Sequence, residues 1–336
     1  MTELKQLIER AIASQLDDRL DDALKLYSQA LQQRPNMPAI RQLLGQLIEY
    51  HFNLADTLSN MGRHQAAIPV LERVARAQPG IPRTHSLLGQ LYITTGDPER
   101  ATLHLRRYLE LDRSDAAGAG LLLAHLGAGD VPPMPSASYV REFYDGYADT
   151  YDEHLLKDLG YRCPELIRAA LERRGLKELR MLDLGCGTGL CGPAVQSFAT
   201  RLDGVDLSGP MLAKARARGI YTHLEESDVI GFLHRKTDDY DAIVAAGLFE
   251  HIGDPAPLFV AARSALSQDG ALIITAEASD GDTVQVNESG FFTHSEHVIR
   301  EAARQAGLDV VFIEQAIMRH DAGERVSGLI ACMTPA

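Results

Sequence analysis

The stretch MLDLGCGTGLCG, residues 181–192, restricts the fold more than any other part of this chain. An apolar run ends in Asp183, and Gly185, Gly187, Gly189 and Gly192 follow within nine residues. Glycine in regular structure costs roughly 0.5–1 kcal/mol relative to alanine, so such a cluster marks a place where backbone turns sharply or passes close to a ligand. LRMLDLG before it reads as a buried strand and CGPAVQSFAT after it as a helix. The alternation continues. Strands are expected at RLDGVDLS, IYTHLEESD, YDAIVAAG, ALIITAEA, LDVVFIEQAIM and RVSGLIACMT. Helices fall between them at GPMLAKARARG, IGFLHRK, DPAPLFVAARSALSQDG and SEHVIREAARQAG. Apolar strands separated by helices predict a parallel sheet covered on both faces. In such sheets ligands bind outside the carboxyl ends of the strands, where strand order reverses, and the glycine loop falls there.

Two ligand chemistries compete for the loop. GTGLCG, from Gly187 to Gly192, matches the dinucleotide pattern G-x-G-x-x-G. Asp183 argues against it, because a carboxylate at the mouth repels a pyrophosphate and favours a cation. The pattern D-x-G-x-G-x-G, carried by Asp183, Gly185, Gly187 and Gly189 with Cys186 inside it, suits a nucleoside whose tail is an amino acid. S-adenosylmethionine, with a sulfonium, an ammonium and no phosphate, has that form. Asp206 ends the second strand, 17 residues after Gly189, where a carboxylate accepts both ribose hydroxyls. Asp228, after the third strand, is placed to accept from the adenine amino group, with the Val229 backbone beside it. Leu207 and Met211 offer apolar surface to the adenine faces, and Ala245 ends the fourth strand beside the amino-acid tail.

The first third of the chain repeats. Ala23, Ala67 and Ala101 sit in matching contexts, and the last two are 34 residues apart. An apolar or aromatic residue follows each at +4 (Tyr27, Leu71, Leu105), and a small or apolar one at +7 (Ala30, Val74, Tyr108). Those offsets share one helical face. Pro35 and Pro79 stop the second helix in two of the units. Ala23 and Ala67 are 44 residues apart, so MPAIRQLLGQL lengthens a helix or a turn between units one and two. DAAGAGLLLAHLGAG reads as a further apolar helix capping the stack, and GDVPPMPSAS, 129–138, as a linker at a domain boundary.

Composition narrows the partners. Net charge is −13, from 33 basic and 46 acidic side chains, which opposes a phosphate backbone and disfavours nucleic acid. No apolar run approaches about 20 residues, so no membrane span is expected. The acidic, amphipathic start MTELKQLIERAIASQLDD is no secretion signal. Cys163, Cys186, Cys191 and Cys332 form no C-x-x-C pair and no metal spacing, which fits a reducing cytoplasm and no metal site.

The repeats over residues 4 to 115 resemble the tetratricopeptide repeat. From about residue 139 the chain resembles class I S-adenosylmethionine-dependent methyltransferases, in the branch of the quinone- and biotin-pathway enzymes. As a whole it resembles bacterial predicted methyltransferases containing these repeats. The resemblance implies an α/β, Rossmann-like domain with a seven-stranded sheet whose last strand is antiparallel, preceded by an all-α solenoid. It divides the chain into repeats at 1–128, a linker at 129–138 and a methyltransferase domain at 139–336. S-adenosyl-L-methionine is the implied cofactor. Glu250 and His251, in LFEHIGD after the fourth strand, match an EH pair of the related enzymes, and His251 is the expected base or loop support. His294, in GFFTHSEHV, is a weaker candidate on the same rim. Tyr144, Tyr147 and Tyr151 form an aromatic stripe, read as a sheet-packing helix or a lid, with Tyr144 and Tyr151 over the cofactor. Methyl transfer to an O-, N-, S- or C-acceptor is compatible with these features. The expected acceptor is a small molecule, with the repeats mediating assembly, for example with a twin subunit. The alternative is a peptide, protein or carrier-tethered substrate captured by the repeats.

Overall fold

A computed structural model of the protein describes residues 2–287, 290–321 and 323–336. The chain divides into two compact units, Met1–Arg113 and Ser114–Ala336.

The first unit contains α1 (Thr2–Leu16), α2 (Leu20–Gln33), α3 (Pro38–Asn60), α4 (His64–Ala77), α5 (Pro82–Thr94) and α6 (Pro98–Leu111). They pack as α1 on α2, α3 on α4 and α5 on α6, and each pair packs on the next. Ala23, Ala67 and Ala101 are fully buried where the backbones approach, as their spacing predicts. In α5 the approach is closer still: a Cβ on Gly89 would lie 2.6 Å from the Leu105 side chain of α6. α2 and α4 end two residues before Pro35 and Pro79, since proline disfavours the helical conformation in the residue ahead of it. The ten additional residues between the first two alanines lengthen a helix, and α3 runs for 23 residues.

In the second unit, strands β1 (Leu179–Leu184), β2 (Ala199–Asp206), β3 (His223–Glu226), β4 (Tyr240–Ala245), β5 (Leu266–Glu277), β8 (Leu308–Asp321) and β9 (Glu324–Pro335) form one sheet. Its order is β3-β2-β1-β4-β5-β9-β8. The pairs from β3 to β5 are parallel, and β9 runs antiparallel to both neighbours. This is the seven-stranded α/β arrangement with a reversed last strand. β6 (Gln285–Val286) and β7 (Phe292–Thr293) add a small separate ribbon that the sequence pattern did not reveal. Alternate residues feed two cores. Leu182, Leu184, Ile243 and Ala245 enter one face, and Met181, Ala242 and Val244 the other. With both faces covered, the strands read as unbroken apolar runs.

The helices of this unit are α7 (Ala119–His125), α8 (Ala137–Tyr147), α9 (Tyr151–Glu153), α10 (Cys163–Arg174), α11 (Gly192–Val195), α12 (Gly209–Ala217), α13 (Val229–Leu233), α14 (Pro255–Ala265) and α15 (Glu296–Ala306). α9 continues into a π turn over His154–Asp158.

The compact units meet at Arg113/Ser114, ahead of the proline-rich segment where sequence placed the boundary. α7, expected to cap the repeats, belongs to the second unit. The Asp115 carboxylate accepts from the Ala119 and Gly120 amides at 2.6 and 3.0 Å, and Ser136 Oγ donates to the Asp115 carbonyl at 2.9 Å. The segment 129–138 is a strap. The Gly253 and Asp254 amides donate to the Pro133 carbonyl at 2.8 and 2.9 Å, and Met134 packs on the sheet core. Proline removes donors but leaves carbonyls, so such a segment lacks regular structure and still docks through its acceptors.

Candidate functional site

The glycine loop turns at the carboxyl end of β1. Gly185 and Gly187 take φ of +69° and +53°, conformations that side chains rarely adopt. A Cβ on Gly185 would lie 2.9 Å from the Leu248 side chain, whereas the space above Gly187 is open. That space is a cavity of about 270 Å³. Its lining brings together the predicted Gly185, Gly187, Asp206, Leu207, Asp228 and Val229. Tyr144, Tyr151 and His251 close it from one side, and Met134, Pro135 and Ala137 of the strap also line it.

Asp206 is held at both oxygens. Gly187 N donates to Oδ2 at 2.8 Å and Ser208 N to Oδ1 at 2.9 Å. Burial raises its pKa, and the two amides oppose that rise. Each oxygen keeps acceptor capacity toward the cavity. Asp228 caps α13 by accepting from Gly231 N at 2.9 Å, which fixes its carboxylate at the rim.

Five expected contact residues lie elsewhere. Asp183 is 1% exposed and does not line the cavity; its carboxylate accepts from the Tyr221 hydroxyl at 2.6 Å. Burial pushes Asp183 up to about 7 against that hydrogen bond, and the Asp206 charge adds to the rise. Its role is to brace the loop from beneath, since Tyr221 also fills the space where side chains on Gly189 and Gly192 would stand. Gly189 therefore faces Tyr221. Cys186 packs toward Gly204 of β2, and Met211 is fully buried. Ala245 points into the sheet core, and its neighbours Ala246 and Gly247 line the cavity instead. Sequence inspection did not single out Tyr221, whose contacts with Asp183 span 38 positions and leave no local pattern.

The tyrosine stripe closes over the loop. Tyr144 OH and His251 Nε2 are 2.7 Å apart, and the Tyr144 and Tyr151 rings meet edge-on at 6.0 Å. Asp152 accepts from Thr188 Oγ1 and pairs with Arg218, which also donates to the Thr188 carbonyl at 2.6 Å. Asp152, next to Tyr151, thereby ties this segment to the glycine loop. His251 is 6% exposed, its Nδ1 has no hydrogen-bond partner among the described residues, and burial lowers its pKa to about 4. It is neutral at physiological pH. His294 lines neither this cavity nor the next. It is fully buried, hydrogen-bonds the Ile252 carbonyl at 2.7 Å, and burial lowers it to about 4 as well. His294 supports the turn after β4.

Glu250 faces a second cavity, of about 480 Å³, that adjoins the first along Tyr144, Tyr151 and Gly247. Arg319 donates to Glu250 at 2.9 Å and to Glu277 at 2.7 Å, and all three side chains are largely buried. Burial raises Glu250 to about 7, the Arg319 charge opposes this, and Glu277 adds to it.

Among the described residues, no helix is long and apolar enough to cross a membrane, and no cluster of three or more His, Cys, Asp or Glu is placed to hold a metal ion. Residues 182–272 match the model of a methyltransferase domain, and residues 60–126 that of the tetratricopeptide repeat. The curated relatives include the ubiquinone biosynthesis O-methyltransferases of Histophilus somni and Glaesserella parasuis. The first is 27% identical over 31% of this chain and 47% of its own length, the second 25% identical over 40% and 58%. The chain thus spans about half the length of these relatives. Among solved structures, a Burkholderia thailandensis 1,6-didemethyltoxoflavin-N1-methyltransferase is similar at 17% identity and a TM-score of 0.49, over 62% of this chain and 93% of that one. The chain therefore carries a methyltransferase domain in its second unit and tetratricopeptide repeats ahead of it in the sequence.

Proposed function

We propose that the protein is an S-adenosylmethionine-dependent methyltransferase acting on a small molecule. One observation carries the reading: the only charged side chains lining the first cavity, among the described residues, are the carboxylates of Asp206 and Asp228. A dinucleotide pyrophosphate has no cationic partner there, while a nucleoside with a cationic tail meets two acceptors. Asp206 takes the ribose hydroxyls, and Asp228 with the Val229 backbone takes the adenine edge. Leu207 and the strap residues cover the apolar faces.

S-adenosylmethionine, when bound, supplies an electrophilic methyl group on a sulfonium. The protein's contribution is alignment and exclusion of water. Met134, Pro135 and Ala137 shield the first cavity, and Tyr144 and Tyr151 stand on the wall shared with the second. His251, held neutral and bonded to Tyr144, fixes that hydroxyl's orientation. Its depressed pKa makes it a weak base. Glu250 faces the second cavity with a raised pKa and receives the proton that the acceptor releases.

Replacing Asp206 with alanine removes the ribose acceptor and is expected to weaken binding by about 1–3 kcal/mol, roughly 5- to 150-fold. Calorimetric titration with S-adenosylhomocysteine checks this, beside a thermal melt showing that the variant is folded. Unchanged affinity in a folded variant removes the assignment.

The strap gives a second test. A fragment of residues 114–336 keeps α7, the strap and the whole cavity lining, and is expected to bind S-adenosylhomocysteine like the full chain. A fragment of residues 139–336 loses Met134, Pro135 and Ala137 and is expected to bind at least tenfold more weakly. Equal binding by the two fragments would show that the strap contributes nothing to the site.

A further inference from the structure

The second cavity is walled by six rings, those of Phe143, Tyr144, Tyr147, Tyr151, Tyr161 and Phe291. Its charged groups are Glu250, Arg319 and Asp321 among the described residues. Arg319 is the single cation in that set, and it is engaged with two carboxylates, Glu250 and Glu277. A guanidinium paired with two anions has its charge neutralised, so it offers little net attraction to a ligand carboxylate or phenolate. With Glu250 ionised, the triad carries one net negative charge in a largely buried place, and Asp321 adds another at the cavity wall. Ring faces are the negative ends of aromatic quadrupoles and attract cations.

We propose that this cavity receives the methyl acceptor and selects one bearing a protonatable nitrogen, an amine beside a ring or short apolar body, over an acidic one. The proposal rests on the methyltransferase reading for the transfer step, but the charge preference can be measured without it. In that step the bound ammonium first passes its N–H proton to ionised Glu250, the freed lone pair forms the N–C bond as the S–C bond breaks, and the methylated nitrogen keeps the positive charge that the sulfonium loses. The raised pKa of Glu250 suits it to hold that proton near neutral pH.

The test titrates the full chain with two probes of similar size, benzyltrimethylammonium and phenylacetate, with and without saturating S-adenosylhomocysteine. The cation is expected to bind at least tenfold more tightly than the anion, and S-adenosylhomocysteine is expected not to displace it. Phe291→Leu, which keeps apolar volume but removes a ring face, should weaken the cation severalfold and leave the anion unchanged. Equal or tighter binding of phenylacetate overturns the proposal, as does failure of both probes to bind. Displacement by S-adenosylhomocysteine places the cation in the first cavity and overturns it too. If S-adenosylhomocysteine fails to bind while the cation preference holds, the methyltransferase reading falls and the charge selectivity stands.

Discussion

Arg319→Met is expected to destabilise the second unit by about 3–5 kcal/mol, because it leaves two buried carboxylates without their shared cation. Arg319 is 8% exposed and donates to both Glu250 and Glu277, so solvent cannot replace it without opening the packing around β8. The sign with pH follows from Glu250. Its folded pKa stands above its unfolded value already, at about 7, and losing the cation moves it further up. The folded variant therefore binds more protons than the unfolded chain, and its stability declines as pH rises through the Glu250 titration. Urea unfolding at pH 5.5 and pH 8 should show the larger deficit at pH 8. An unfolding free energy within about 0.5 kcal/mol of the parent at both pH values would mean that the triad is dispensable. Adding Glu250→Gln to Arg319→Met should restore part of the loss, since it removes one of the stranded charges.

Glu250→Gln alone is expected to lower turnover by about 10²-fold or more while S-adenosylhomocysteine affinity stays near that of the parent. Glutamine keeps a hydrogen bond to Arg319 and loses the ability to take a proton. In the parent, the rate should fall as pH drops through about 7, where Glu250 becomes protonated. The glutamine variant should lack that limb. The rate is followed as isotope label passing from S-adenosylmethionine into the small-molecule fraction of a bacterial extract. An acid limb near pH 4 instead would assign the proton to His251, whose burial lowers it there. A variant with undiminished rate would leave catalysis to alignment alone.

Features written into contiguous residues were legible in the sequence. The alanine spacing of the repeats and the strand–glycine–helix order follow from periodicity, and both appear as expected. The placement of Asp206 and Asp228 on the cavity was legible because a carboxylate at a strand's end has few places to go in a parallel sheet. Ala245 shows where that logic slips. Side chains alternate along a strand, so a shift of one residue moves the contact from the core-facing Ala245 to Ala246. Asp183 lies off the cavity for another reason. Its motif position is as expected, but Tyr221 arrives from 38 residues away to occupy the carboxylate. The Arg319 triad joins residues 69 and 42 positions apart and has no sequence signature at all. The strap was hidden because prolines erase the periodic signal while leaving carbonyls able to dock on the turn at Gly253 and Asp254.

The doubly anchored Asp206 has a consequence for the entropy of binding. Both carboxylate oxygens are fixed by backbone amides before any ligand arrives, one from the glycine loop and one from the start of α12. Ser208, which supplies the second amide, is itself held by its hydroxyl donating to Asp145 of α8 at 2.6 Å. An immobilised side chain at an interface otherwise costs about 0.5–1.5 kcal/mol of lost rotamer freedom on association. Here that ordering is completed during folding, so a diol meets an acceptor pair whose direction is already set. On the proposed assignment of Asp206 to the ribose, recognition of the sugar would be part of the folded ground state rather than a response to the ligand.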